Sequence, residues 1–218
     1  MTKSPETIKI EYGVCAASDV DAMAKLLGEV FSRHDPPAYA VGLTAPEFEA
    51  FVRLFCPKAI TEGLTLVARS RDTGILVGAL LTEDCASAMP EGMDRLSRKF
   101  DPVFDILGQL GADYWGDRAA LPGESIHLFL LGVAESVTGR GVGQQLVTAC
   151  LELGASRGYR LAVTEATNKV SQHIFRKHGF VERARRSYEA HRFNERALFE
   201  SIVEHGGPIL MDRSLASG

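Results

Sequence analysis

The chain has 218 residues, 45% of them hydrophobic, with a formal net charge of −4. This length is enough to bury a sizeable core, and the absence of a basic excess argues against nucleic acid as the main partner. No run approaches the ~18 apolar residues of a membrane span, and the opening Met-Thr-Lys-Ser-Pro-Glu carries no apolar signal core, so a cytoplasmic protein that does not enter membranes is expected.

In chain order, residues 7–14 alternate, with Ile8, Ile10 and Tyr12 on one face, which predicts a first strand. Ser18 is placed to cap a helix carrying Val20, Met23, Leu27, Val30 and Phe31, and Pro36 and Pro37 are expected to stop it. Thr44-Ala45-Pro46-Glu47 reads as a capping box opening a helix with Phe48, Phe51, Val52 and Phe55 on one side. Two strands follow, over residues 64–70 and 74–82, joined by a short turn at 71–73. Residues 83–92 and 114–123 read as loops, and 93–113 as a helix that Pro102 kinks. After an apolar strand at 126–133, a glycine-rich turn opens the next helix, which breaks over 154–158. Residues 161–166 form another strand. Asn168 caps a helix that Gly179 ends. From Phe180 a long strand carries Arg183, Arg185, Arg186 and Tyr188, turns at 194–196 and continues over 197–202. A last strand, 208–214, follows the turn at His205-Gly206-Gly207. Cys15, Cys56, Cys85 and Cys150 lack metal or redox spacing and read as buried free thiols, and no metal site is expected. Strands and helices intermix throughout, which favours one α/β domain over residues 1–218.

The turn is the segment that points to chemistry. Thr138-Gly139-Arg140-Gly141-Val142-Gly143-Gln144 sets three glycines at alternate positions before a helix. Such a turn aims free N–H groups and the positive end of the helix dipole at one spot, an anion site. A P-loop would need Gly-Lys-Ser/Thr where Gly143-Gln144-Gln145 stands. The dinucleotide fingerprint fails because its third glycine would be Gln144 or Leu146, although Glu165 stands at about the distance of the ribose-binding acid.

Thr138 to Gly143 resembles instead the Gln/Arg-x-x-Gly-x-Gly/Ala signature of the GNAT acyl-CoA N-acyltransferases, with threonine at its first position. Asn168 to Phe180 resembles that family's Asn-x-x-Ala/Ser-x-x-Leu/Ile-Tyr-x-x-x-Gly-Phe segment, with Phe175 where tyrosine is usual. The chain looks most like the arylalkylamine N-acetyltransferase group within it. Asp35, in Phe31-Ser32-Arg33-His34-Asp35-Pro36, falls where the insect enzymes carry a catalytic glutamate. His127 falls on the first of two histidines of the vertebrate enzymes, and Phe129 on the second. Thr167 and Ser171 resemble an insect hydroxyl pair. The resemblance implies a mixed, mostly antiparallel sheet of about seven strands flanked by helices, and transfer of acetyl from acetyl-CoA, a co-substrate, to a primary amine by direct attack. It also implies that backbone at a bulge near Leu131 to Val133 holds the thioester and pantetheine, and that Thr138, Gly139, Arg140, Gly141, Gly143 and Gln144 grip the pyrophosphate. Asn168 and Phe175 would complete the coenzyme site.

An alkyl amine of pKa ~10 is about one part in a thousand free base at pH 7, so losing its proton costs roughly 4 kcal/mol without a base. Asp35 and His127 are read as a shared relay through water, with Glu124 a further candidate. His127 also reads as a core histidine on a backbone carbonyl, and Asp35 as a turn residue bonding local N–H groups. Ser171 or Thr167, or else Tyr188 or Tyr114, would protonate the leaving thiolate unless it departs as such. Arg140 and Lys177 read either as charges near the nucleotide or as solvated surface. Phe31, Tyr39, Phe48, Phe51, Phe55, Tyr114 and Trp115 are candidates to line an apolar amine pocket. A protein, polyamine or aminoglycoside acceptor, an acyl-CoA sensor without catalysis, and an NAD-binding protein stand as alternatives. The partner expected is a small-molecule amine, and a homodimer is compatible with such a domain.

Overall fold

The computed structural model describes residues 9–215. Its strands are β1 (Ile10–Val14), β2 (Leu66–Ser70), β3 (Leu76–Asp84), β4 (Ser125–Val133), β5 (Leu161–Ala166), β6 (Val181–Arg185) and β7 (Ile209–Ser214). They form one sheet in the order β1-β2-β3-β4-β5-β7-β6, in which only β4 and β5 run parallel. The helices are α1 (Val20–His34), α2 (Pro36–Ala40), α3 (Ala45–Glu62), α4 (Asp101–Trp115), α5 (Val142–Ser156) and α6 (Lys169–Lys177). The mixed, mostly antiparallel seven-stranded sheet expected from the sequence is therefore present.

Two apolar layers cover the sheet. Leu66, Ala68, Leu80, Ile126, Leu128 and Ala162 pack with Val142, Leu146, Val147 and Cys150 of α5 and Phe175 of α6. Val67, Ala79, Leu81 and Leu130 pack on the opposite face with Met23 and Leu27 of α1 and Phe51 and Phe55 of α3. The period-2 alternation of strands assigns β2 to both layers in this way.

Strand β4 breaks that alternation. Leu81 pairs with Leu130 and Thr82 with Leu128, so Phe129 is an extra residue, a β-bulge. The bulge swaps faces. Before it, Ile126 and Leu128 belong to the α5 layer. After it, Leu130 joins the α1/α3 layer, and Leu131 and Val133 pack toward α5. The sequence predicts Leu131 on one face with His127 and Phe129, and a bulge near Leu131 to Val133. The structure has the bulge two residues earlier, which separates Leu131 from them.

The pairing of β4 with β5 covers only Ser125 to His127. The Thr164 hydroxyl donates to the Leu128 carbonyl at 2.9 Å just beyond it. Past that point both strands line an open cleft. This parting exposes the backbone of β4 on the side that β5 would otherwise pair.

Other boundaries differ from the sequence reading for local reasons. Residues 7 and 8 of the first predicted strand lie outside the described residues. Asp19, not Ser18, stands at the start of α1, and its carboxylate accepts the Ala16 N–H at 3.0 Å. Pro36 and Pro37 end α1 but also begin α2, since proline suits a first helical turn. Pro102 likewise opens α4 instead of kinking a longer helix. Residues 83 and 84 extend β3, α5 runs through Gly154, and Tyr114 and Trp115 belong to α4. The strand from Phe180 ends at Arg185, and 197–202 is not strand. There, Tyr188, Phe199 and Ile202 bury against Val103 and Ile106 of α4, which bends residues 200–205 into a short 3₁₀ turn.

Candidate active site

Gly139 and Gly141 take φ of +76° and +78°, and Gly141 caps α5. These values belong to glycine, and they turn the chain so that α5 starts abruptly at Val142. The Gln145 N–H is the first to donate back into the helix, to the Gly141 carbonyl at 3.0 Å. The amides of Val142, Gly143 and Gln144 therefore have no place in the helix ladder and point from a positive helix end. The amides of Thr138 and Arg140 donate locally, to the Glu135 and Val137 carbonyls. Of the amides expected to face an anion, those of Thr138 and Arg140 are thus engaged within the turn, while those of Val142, Gly143 and Gln144 stand at the helix start. Thr138, Gly139, Gly141, Gly143 and Gln144 line the cleft, and Arg140 and Lys177 are not part of its lining.

This cleft, of ≈ 1310 Å³, runs from the glycine turn along β4 to a wall of rings. Leu131 and Val133 line it near Gly143, where a Cβ would meet Val133 at 3.6 Å and Leu131 at 3.8 Å. On the other bank Asn168 caps α6, its side-chain oxygen accepting the Ser171 N–H at 2.9 Å. The Ser171 hydroxyl donates to the Asn168 carbonyl at 3.0 Å, so its proton completes a helix cap. Phe175 lines the same bank, with its ring 5.1 Å from that of Phe180.

Beyond the bulge the cleft becomes aromatic. Phe129 lies 5.8 Å from Phe51 and 4.9 Å from Phe55 between ring centres, and Phe51 also meets Phe48, Phe100 and Phe104. Of the predicted aromatic lining, Phe31, Phe48, Phe51, Phe55 and Trp115 are there. Tyr39 and Tyr114 are not: Tyr39 is exposed on a neighbouring small pocket, and the Tyr114 hydroxyl donates to Asp212 at 2.8 Å. Cys85 lines the cleft, so it is not buried as the other three thiols are.

His127 closes this end. Its Nδ1 lies 3.2 Å from Oε1 of Glu83, and its Nε2 lies 2.5 Å from Oε2 of Glu165. Glu83 is also ion-paired with Lys58. Burial alone would favour the neutral imidazole, but the two carboxylates override it and hold the His127 proton well above the usual histidine range. Burial would push both glutamates up, and their bonds to His127 bring them below the ordinary carboxylate range. Lys58, Glu83, His127 and Glu165 form a row of alternating charge with no net excess. The backbone carbonyl considered for His127 is not its partner.

Asp35 is buried between α1 and α2 and faces the cleft. Its Oδ2 accepts the Ala38 N–H at 3.1 Å, which caps α2, and its Oδ1 accepts the Thr167 hydroxyl at 2.6 Å. Burial pushes the carboxyl up to about 6, against the lowering effect of both hydrogen bonds and of the nearby His205 ring. Asp35 is thus both the local turn residue and a cleft carboxylate. The Tyr188 hydroxyl donates to the Thr167 carbonyl at 2.8 Å, and burial pushes it far up. Neither Tyr188 nor Tyr114 lines the cleft.

The cleft therefore gathers Asp35, His127, Ser171, Thr167, the glycine turn, Asn168 and Phe175, and leaves out Arg140 and Glu124. Sequence reasoning missed Glu83, which it set in a loop, and the role of Glu165, which it weighed only as a ribose ligand. The available signal was register: Glu83 pairs directly with His127 once β3 is extended by two residues.

Residues 46–180 match the acetyltransferase (GNAT) family. The C-terminal condensation domain of Ebony, solved in complex with beta-alanyl-dopamine, has a similar structure, with a TM-score of 0.84 at 14% identity over 95% of this chain and 100% of that one. Arylalkylamine N-acetyltransferase 2 from Aedes aegypti gives 0.80 at 19% identity, over 95% and 100%. The polyamine N-acetyltransferase of Drosophila melanogaster, which catalyses formation of N-acetylagmatine, gives 0.76 at 19% identity, over 94% and 100%. Likeness at these identities is likeness of fold.

Proposed function

The chain belongs to the acetyltransferase (GNAT) family, and from that premise we propose that it transfers acetyl from acetyl-CoA to a small primary amine with an apolar tail, with Asp35 as base. One observation carries this reading: a single cleft joins the bare amides at the start of α5 to a buried carboxylate and a wall of phenylalanines. That two similar structures belong to acetyltransferases of arylalkylamines and polyamines supports an amine acceptor.

Acetyl-CoA, when bound, supplies the acyl group as a thioester. The amides of Val142, Gly143 and Gln144 suit its pyrophosphate, and the backbone of β4 past the bulge suits the pantetheine arm and the thioester carbonyl. Asp35 takes the proton of the amine. An ordinary carboxylate stands ~6 units below an amine of pKa ~10, and at about 6 Asp35 cuts that gap to ~4 while remaining mostly ionised at pH 7. His127, held as imidazolium between two carboxylates, has no free lone pair to act as base. We assign it to fixing Glu83 and Glu165 at the floor of the acceptor pocket. With Phe175 unable to donate and the Ser171 and Thr167 protons committed to Asn168 and Asp35, no side chain protonates the departing thiolate. The attacking nitrogen sheds its second proton as the intermediate collapses, and that proton passes to the sulfur to give the free thiol.

A polyamine acceptor has one observation in its favour, the carboxylates of Asp35, Glu83, Glu135 and Glu165 along the cleft. Lys58 and His127 offset two of them, which leaves the aromatic wall as the stronger signal. The test is acetyl-CoA turnover over a panel of arylalkylamines, alkyl diamines and agmatine, for the parent protein and Asp35→Asn. Arylalkylamines turning over best, with a fall of ~10² or more in Asp35→Asn, is expected. Background rates with every amine, or an unaffected Asp35→Asn, refute the reading.

A further inference from the structure

Asp35 has two sides. One faces the main cleft, and the other faces a separate pocket of ≈ 210 Å³ lined by Arg33, His34, Tyr39, Glu204 and His205. That volume holds several waters. His205 also lines both spaces. Its Nδ1 is buried with no hydrogen-bond partner among the described residues, and its Nε2 lies 3.6 Å from the exposed Glu204 carboxylate. The ring is held at the end of the 200–205 turn, where the Gly206 N–H donates to the Val203 carbonyl at 2.9 Å and the Gly206 carbonyl accepts the Tyr188 N–H at 3.1 Å. A buried polar atom without a protein partner costs free energy and calls for an explanation.

A base in this cleft faces a problem of return. Each turnover delivers one proton to Asp35, and acetyl-CoA bound as proposed above would fill the cleft on the glycine-turn side. We propose that His205 relays that proton from Asp35 through the back pocket to bulk water. The inference rests on Asp35 being the base. The amine gives its proton to the Asp35 carboxylate, which becomes the neutral acid. The acid gives it, through a water, to Nδ1 of a His205 protonated on Nε2. The resulting imidazolium releases the Nε2 proton past Glu204, and a tautomer exchange resets the ring. Charge balances at each step, and no other reactant is needed. An imidazole exchanges protons near neutral pH and has two distinct nitrogens, as such a relay requires. His34, on the wall of both spaces, is held at 3.1 Å by Glu135 on the main-cleft side. His205 acts through Asp35 and does not touch the substrate.

The experiment compares His205→Gln, His205→Asn and Asp35→Asn with the parent protein, reading acetylated amine rather than free thiol so that added imidazole does not contribute. The relay predicts a ten-fold or greater fall in kcat in both His205 variants. It also predicts a KM for acetyl-CoA within two-fold of the parent, a larger solvent isotope effect, and recovery of kcat as imidazole is titrated in. A parent-like kcat, or a fall that imidazole does not restore, overturns it. Melting temperatures near the parent's guard against a folding defect. An inactive Asp35→Asn beside a normal His205→Gln removes the relay alone, whereas an active Asp35→Asn removes the base and the relay together.

Discussion

The Thr167 hydroxyl donates to the Asp35 carboxylate at 2.6 Å, across 132 positions of chain. It ties the residue after β5 to the first turn of α2, and it favours the ionised form of a carboxyl that burial pushes up to about 6. Thr167→Val removes that donor and keeps the shape. The Asp35 carboxyl then rises further, so the limb of kcat/KM that climbs with pH shifts to higher pH by about one unit. The variant is slowest relative to the parent at pH 6–7 and approaches it near pH 9. A limb that stays in place would separate Thr167 from the base.

Asp35 is also a site where function opposes stability. Its folded carboxyl titrates at about 6 against an ordinary 3.8, so folding favours the protonated acid. That contribution is complete below pH ~4 and is lost as pH rises through 6. An asparagine at this position would keep the cap acceptor without the charge. Asp35→Asn is therefore expected to match the parent's stability at pH 4 and exceed it by about 2–3 kcal/mol at pH 8, while losing activity. Thermal unfolding at the two pH values measures this, and a variant less stable than the parent at pH 8 contradicts it.

The parts of this site legible in the sequence were those set by local chemistry. Glycine at 139 and 141 announces a turn at positive φ, and Asn168 with Ser171 announces a helix cap, whatever lies around them. Helix content followed from 3.6-residue spacing, and Thr44 with Glu47 fixed the start of α3. Three features stayed hidden because distant partners create them. The bulge at Phe129 depends on how β3 pairs with β4, and nothing within β4 announces it. The charge on His127 comes from Glu83 and Glu165, 44 and 38 positions away. The turn over 200–205 exists because Phe199 and Ile202 bury against α4, and as an isolated segment it reads as strand.

The His127 row makes a prediction about coupling. His127→Ala leaves the half-buried Glu165 without its cation, whereas Glu83 retains Lys58. Removing one member of a fully buried ion pair costs about 3–5 kcal/mol, mostly the penalty of the stranded charge, and the cost is smaller here because Glu165 keeps access to the cleft. Adding Glu165→Gln to His127→Ala removes that charge, so the double variant is expected to recover at least ~1 kcal/mol over His127→Ala. Denaturant unfolding of the four proteins closes the cycle. Additive losses would mean that the two side chains do not interact.

The glycine turn separates backbone strain from ligand clearance. Gly141 has φ +78°, where an added Cβ meets no neighbour within 4 Å but the backbone is strained. Gly143 lies in α5, and a Cβ there makes ordinary contacts of 3.6–3.9 Å with Val133, Leu131 and Ile174. Gly141→Ala is thus expected to lose about 1–2 kcal/mol of stability through the left-handed conformation alone, and to weaken coenzyme binding by displacing the cap of α5. Gly143→Ala, inside a helix, costs no stability and gains up to ~1 kcal/mol from propensity. Its methyl nonetheless sits against Val133, Leu131 and Ile174, all of which line the cleft, so it should raise the KM for acetyl-CoA about ten-fold or more with the amine KM unchanged. Melting curves and steady-state kinetics of the two variants decide the matter. A Gly143→Ala protein with parent-like KM for acetyl-CoA would mean that the coenzyme does not approach the start of α5, and the anion grip would have to be sought elsewhere along the cleft.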